Sequence, residues 1–480
     1  MWKLPYFFCV FVIPLVASCS QPAPESENRG AEGAPAIEAR QYAAAMGAHH
    51  LCAGTYVVGR DYRRPPEQIV AEDIAPFPDF FWQTDFDYEI DDETKMATVS
   101  GPGIEPRSAR YFGDQGCIIL PPGATDVFFE PVEVPRLPED PSNVPWPLGD
   151  RDSHGAFAEI DVEKLEAALE WAMAEPQNTR ALVVTCKGKI VGERYAPGFT
   201  AHTPQISWSQ GKSITAALVG VLVERGLLGV DDPAPVPEWR DEGDPRSAIR
   251  VRDLLNMSSG LDFVNDGLSG EKSFRKENEH MRIYFDALNV FEHAVDQPAE
   301  IPPGTEFRYR NSDPLTLGRI VRQTVEAQGE EFLSFPYRAL FNRIGARDYV
   351  LETDPYGNFI MTGYDYGSAM DWTRFGLLHL WDGVWEGERI LPEGWAELVS
   401  TPAPGAREKQ YGGLFWLNRG GAMPDVPEDA YWAAGHMGQN TVIIPSRDLV
   451  VVRLGPSPGG SREYLNETIR RILEAISTAN

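Results

Sequence analysis

The chain is poor in cysteine, in histidine and in positive charge. Five cysteines and eight histidines occur in 480 residues, and none of them falls at metal-ligand spacing, so no structural zinc or other cofactor is expected. Against 71 Asp and Glu stand only 43 Lys and Arg, a formal net charge of -28 that would repel DNA or RNA, and no nucleic-acid partner is expected. Internal repeats are absent, and the apolar stretch from Phe7 to Val16 is too short to span a bilayer. What remains is 42% hydrophobic and 11% aromatic, the composition of a globular protein with a substantial core.

Met1–Ser18 has one cation, Lys3, then an apolar core and small residues, which reads as a secretory signal. Val16-Ala17-Ser18-Cys19 resembles the lipobox of bacterial lipoproteins, in which the cysteine becomes the lipidated first residue. On that reading Cys19 is a membrane anchor, and Ser20 after it leans toward the outer membrane; the alternative is an ordinary signal cleaved nearby. Residues 19–45, rich in Pro, Ala, Glu and Gly, read as a flexible tether, residues 46–120 as a small module, and the proline-rich residues 121–154 as a stiff linker or a surface-wrapping segment. In an oxidising compartment Cys52 and Cys117 are candidates for a disulfide, and Cys186 for an inert thiol.

Residues 155–480 read as the main domain. Asp161 caps a helix through Met173, a hairpin follows at Ala181–Thr185 and Ile190–Tyr195, and residues 230–400 are mostly helical or loop. Strand-like runs return at Gly413–Leu417, Thr441–Pro445 and Leu449–Gly455, before a last amphipathic helix capped by Ser461. The implied class is α+β: an antiparallel sheet closed by distant parts of the chain, flanked by terminal helices, with a helical insertion and the small module ahead of it.

Ser207–Gly226 (SWSQGKSITAALVGVLVERG) reads as a buried helix whose first turn carries Ser209 and Lys212, three residues apart and so on one face. Ser-x-x-Lys recurs at Ser269–Lys272 and Ser273–Lys276, but in polar surroundings that would not desolvate a lysine. Tyr309-Arg310-Asn311 follows a Pro-Pro-Gly turn and precedes an apolar helix; Tyr-x-Asn also occurs at Tyr356–Asn358 and Tyr464–Asn466. His436-Met437-Gly438-Gln439 stands just ahead of the strand TVIIP, where the Gln439 N–H is a candidate oxyanion donor. Gly455-Pro456-Ser457-Pro458-Gly459 fits Gly-x-Ser-x-Gly, but no histidine follows it to complete that order.

The ordered set Ser209-x-x-Lys212, Tyr309-x-Asn311, His436-x-Gly438, with LLNMSSGLDF and IIPSRDLVVVRLG, resembles the penicillin-recognising serine hydrolases: class C β-lactamases, DD-peptidases, family VIII esterases and 6-aminohexanoate-dimer hydrolases. The resemblance covers about residues 155–480 and implies Ser209 as the acylated nucleophile and Lys212 with Tyr309 as the proton-transfer pair. It further implies that Asn311 orients substrate and Lys212, and that the N–H groups of Ser209 and Gln439 form the oxyanion hole. On this reading Tyr309 would have to lose about 3 pKa units to be a phenolate near neutrality, with Lys212 and a charged His436 as the sources. Class C enzymes carry Lys-Thr-Gly where this chain has His436-Met437-Gly438, which tilts the expectation away from β-lactams and toward small-molecule esters or amides without an obligatory carboxylate. A cell-wall DD-peptidase or weak β-lactamase, and a non-catalytic peptidoglycan-binding lipoprotein, are the alternatives, and the sequence sets no oligomeric state.

Overall fold

The computed structural model describes residues 37–76, 86–138, 140–266, 274–457 and 462–476. The expected signal segment, Cys19 and Ser461 lie outside the described residues, as do Ser269, Lys272 and Ser273.

Helix α1 (Ile37–Tyr56) begins inside the stretch expected to be a tether, so Ala45 is helix interior rather than the tether's end. Its alanines favour helix, and with no polar face it is enclosed: every residue from Tyr42 to Thr55 is buried. Helix α2 (Pro66–Ile69) runs into a π-helical turn, Val70–Ile74. Strands β1 (Asp87–Asp91), β2 (Met96–Ser100), β3 (Arg107–Tyr111) and β4 (Cys117–Ile119) form an antiparallel meander in that order. β3 has no counterpart in the sequence reading, because RSARY turns only Arg107 and Ala109 inward and lacks an apolar alternation. A Cys52–Cys117 disulfide pins α1 to β4.

This region is not the separate module expected over 46–120. Arg107 donates to the Phe285 carbonyl at 2.6 Å, the Tyr42 and Phe285 rings lie 5.8 Å apart, and residues 36–480 form one compact unit. The proline-rich residues that follow wrap the body. Arg374, 1% exposed, donates to the carbonyls of Pro147 and Gly149 and to Asp150, and Arg136 donates to the carbonyls of Arg347 and Tyr349.

Helix α3 (Val162–Met173) starts at Asp161, whose carboxylate accepts the Lys164 N–H at 3.1 Å, and is followed by β5 (Ala181–Cys186), β6 (Lys189–Tyr195), β7 (Gln205–Ile206) and α4 (Gly211–Glu224). Three short helices, α5 (Val251–Leu255), α6 (Glu279–Arg282) and α7 (Val290–Val295), precede the long α8 (Ser312–Ala327). After β8 (Val350–Leu351), β9 (Asp365–Gly367) and α9 (Ala369–Leu380) come the hairpin β10 (Val384–Trp385) and β11 (Glu388–Arg389), and then α10 (Trp395–Ser400). The chain ends in β12 (Trp416–Leu417), β13 (Tyr431–Gly435), β14 (Gln439–Ile444), β15 (Leu449–Leu454) and α11 (Arg462–Ala475).

The two ends of the chain meet in one antiparallel sheet of order β12-β13-β14-β15-β5-β6. Its central strands β14, β15 and β5 are buried at every position because both faces are covered, and strand pleating divides their side chains between the two. Leu182, Val184, Val442 and Val451 face α3 and α11; Val183, Ile443, Val450 and Val452 face the core around α9. Only Trp416–Leu417 of the expected Gly413–Leu417 strand is paired. Within the expected helical insertion lie β8 and β9, which pair with β7 ahead of it as a small sheet of order β7-β9-β8, and the hairpin β10-β11.

Candidate active site

Ser209 stands on a single 3-10 turn, Trp208–Gln210, one turn earlier than the α-helix that holds Lys212. A 3-10 turn eclipses i and i+3, so the two side chains still meet: Lys212 Nζ and Ser209 Oγ are hydrogen-bonded at 2.9 Å. Trp208 has φ 51, a left-handed backbone that is strained for a bulky residue. Packing holds it: its ring lies 5.8 Å from those of His50, Tyr364 and His436 and 6.1 Å from that of Tyr284. The end of β13 presses on the same turn, where a Cβ on Gly435 would stand 1.9 Å from the Ser207 carbonyl oxygen. From β14, Thr441 donates to Gln210 Oε1 at 2.8 Å.

Lys212 is 1% exposed, and Nζ also donates to the Thr362 carbonyl at 3.0 Å. Burial pulls its pKa down to about 7, against the opposing charge of Asp365. Tyr309 sits over this amine, with Nζ 5.0 Å from the ring centroid, and its backbone carbonyl is held by Asn265 Nδ2 at 2.7 Å. The expected drop in the phenol's pKa is reversed: burial pushes Tyr309 up to about 12, a hydrogen bond with Ser209 pulling the other way. His436 does not assist as a cation either, since burial holds it down to about 4. Sequence spacing carries no information on how deeply a side chain is desolvated, and here desolvation decides both directions.

Asn311, 0% exposed, does not reach Lys212 directly. Its Nδ2 donates to the His280 carbonyl at 2.6 Å and to Tyr284 Oη at 3.2 Å, and Tyr284 Oη donates to the Thr362 carbonyl at 2.9 Å, the oxygen that also receives Lys212. Tyr284 and Thr362 are thus the residues the sequence reading missed; both lie in turn-rich stretches with no motif, and one acts through its backbone. His436, Met437 and Gly438 form the turn between β13 and β14, with Met437 and Gly438 both at positive φ, 59 and 89. The Gln439 side chain clamps β14 to Gly455, donating to its carbonyl at 2.9 Å and accepting its N–H at 2.8 Å, which leaves only its backbone for a ligand.

The competing motifs are occupied elsewhere. Ser457 donates to the Gln177 carbonyl and accepts from Arg453, Asn358 is bonded to Asp354 and Asn289, and Asn466 to Asp425. Cys186 is a buried free thiol. Among the described residues no three His, Cys, Asp or Glu side chains converge as metal ligands, and no helix is long and apolar enough to cross a membrane.

The family model described as Beta-lactamase matches residues 174–474. A curated relative, the 6-aminohexanoate-dimer hydrolase of Paenarthrobacter ureafaciens, is 26% identical over 323 residues, 63% of this chain and 78% of that protein. Among solved structures, a Bacillus anthracis protein provisionally named a 6-aminohexanoate-dimer hydrolase aligns with TM-score 0.56 at 20% identity over 71% of this chain and 91% of that one. A penicillin-binding protein homologue from Caulobacter crescentus aligns with TM-score 0.51 at 13% identity over 66% and 97%.

Proposed function

The chain belongs to the beta-lactamase family, and from that premise we propose that it is a serine hydrolase forming an acyl-enzyme on Ser209 and cleaving an ester or a linear amide. The observation that carries this reading is the 2.9 Å contact of Ser209 Oγ with an amine whose pKa is about 7. Neutral Lys212 takes the serine proton as Oγ attacks the substrate carbonyl, and the developing oxyanion is received by the backbone N–H groups of Ser209 and Gln439. Tyr309 keeps its proton at neutral pH and passes it to the leaving group, regaining one from the Lys212 ammonium. In deacylation water takes the place of the leaving group, and its proton returns along the same pair.

The substrate class follows from His436. Neutral where class C β-lactamases place a lysine, it offers no cation to a substrate carboxylate, which favours esters or amides over β-lactams. A linear amide is supported separately by the relative named for the 6-aminohexanoate dimer; the terminal carboxylate of such a dimer would be met by a group other than His436. The test is labelling with a fluorophosphonate, followed by turnover of p-nitrophenyl esters, a linear amide dimer, a D-Ala-D-Ala peptide and a chromogenic cephalosporin. Labelling that persists in Ser209→Ala would move the nucleophile elsewhere and overturn the reading. We further propose export and lipidation at Cys19, supported by the sequence around it, with loss of membrane association in Cys19→Ala as the check.

A further inference from the structure

Ser457, the serine of the Gly-x-Ser-x-Gly pattern, stands just past β15 and braces the turn that carries His436: its N–H donates to the Met437 carbonyl at 2.8 Å. Arg453, inside β15, holds the next carbonyl. Its Nη1 donates to the Gly438 oxygen at 3.0 Å, and Asn440 Nδ2 donates to the same oxygen at 2.7 Å. The rest of the guanidinium is taken up by Thr179 Oγ1 at 3.2 Å, the Gln177 carbonyl at 2.7 Å, Ser457 Oγ and the Gly455 carbonyl. Arg453 is 1% exposed, yet each of these acceptors is a neutral oxygen, and among the described residues no carboxylate accepts from it. A buried cation without a counter-charge is costly, and neutral donors are enough to brace a turn, as Ser457 and Asn440 show. What arginine adds is a permanent positive charge beside that turn.

The Gly438–Gln439 peptide is trans, so its C=O and N–H point in opposite directions, and a carbonyl turned toward Arg453 turns the Gln439 N–H away from it. Gly438 has φ 89, and a Cβ there would stand 3.0 Å from Arg453 Nη1, so the glycine serves both the turn and the approach of the guanidinium. We propose that Arg453 is a positioning residue for the oxyanion hole: it fixes this peptide so that the Gln439 N–H meets the substrate oxygen, and its charge favours the negative oxygen formed during attack. This rests on the roles proposed for Ser209 and Gln439. As Ser209 Oγ bonds to the carbonyl carbon, the C=O π pair moves onto oxygen, and the negative charge appears on the N–H side of an amide whose carbonyl already holds a cation. That cation draws electron density through the amide and makes its N–H a stronger donor. His436, kept neutral by burial, adds no charge to the same turn.

Arg453→Met removes fork and charge, Arg453→Lys keeps the charge, and Asn440→Ala removes the other donor to the Gly438 carbonyl while leaving Arg453 in place. Each variant that folds by circular dichroism is assayed for kcat and KM on a p-nitrophenyl ester. Each is also titrated with an alkyl boronic acid, which adds to the serine as a tetrahedral adduct and places an oxygen in the oxyanion hole. Arg453→Met should lower kcat and boronic acid affinity about 100-fold each, with KM changed less than about threefold. Arg453→Lys and Asn440→Ala should each lose only about tenfold in both. Folded variants whose kcat and boronic acid affinity match wild type, or that change in KM alone, overturn the proposal, and a lysine variant as impaired as 100-fold counts against the role of the charge. Should the methionine variant not fold, the other two decide. Wild-type protein that takes up neither fluorophosphonate nor boronic acid overturns the nucleophile assignment instead, so the two failures are distinguishable.

Discussion

The protonation of Lys212 sets a pH profile that follows chiefly from its burial. Moving this amine from its ordinary 10.5 to about 7 corresponds to about 5 kcal/mol against its charged form. If neutral Lys212 is the base, about a tenth of the enzyme is competent at pH 6, half at pH 7 and about nine tenths at pH 8. Acylation of Ser209 should therefore rise about tenfold per pH unit below 7 and flatten above 8. The plateau should extend until Tyr309, at about 12, begins to ionise. Stopped acylation by a fluorophosphonate whose own reactivity does not vary with pH measures this directly. A rate still climbing steeply between pH 8 and 10 would mean that the lysine is charged at neutrality, and the base assignment would fall. A limb near pH 4 would point to His436 instead.

Lys212→Met should abolish turnover while raising thermal stability at pH 7. The unfolded chain holds the lysine proton up to 10.5 and the folded one only up to about 7, so the fold's stability increases with pH across that window; the gain from methionine is largest at or below pH 7 and vanishes above 10.5, as calorimetry at two pH values would show. Gly435→Ala drives a methyl into the Ser207 carbonyl and should cost activity on the order of 100-fold with the fold retained by circular dichroism. Cys52→Ser opens a loop with a sequence separation of 65 and should cost about 4 kcal/mol in denaturant titration. Tyr309→Phe should slow release of poor leaving groups more than of p-nitrophenol, read from the ratio of kcat values on an amide and an activated ester.

What the sequence made legible was local or ordered. Ser209 and Lys212 are three residues apart, and their meeting needs no knowledge of the rest of the chain. Tyr309 and His436 were found by their order, and β5, β14 and β15 by their apolar runs. Tyr284 and Thr362 were not legible, because they join the site through a backbone carbonyl and a phenol brought in by long-range packing. Helix α1 was hidden by its own composition: alanine and glycine suit a loose tether as well as a helix with no water-facing side, and only tertiary contacts distinguish them.

That helix changes what counts as the smallest working unit. The family match begins at residue 174, yet the backing of Trp208 includes His50, and His49 stacks on Tyr364 at 3.6 Å while hydrogen-bonded to Glu352. A gene trimmed to the family boundary would encode a serine-bearing turn with its rear support stripped away and aromatic rings laid open to solvent. Anyone grafting, shuffling or minimising this hydrolase has to carry the preceding hundred-odd residues along as part of the catalyst.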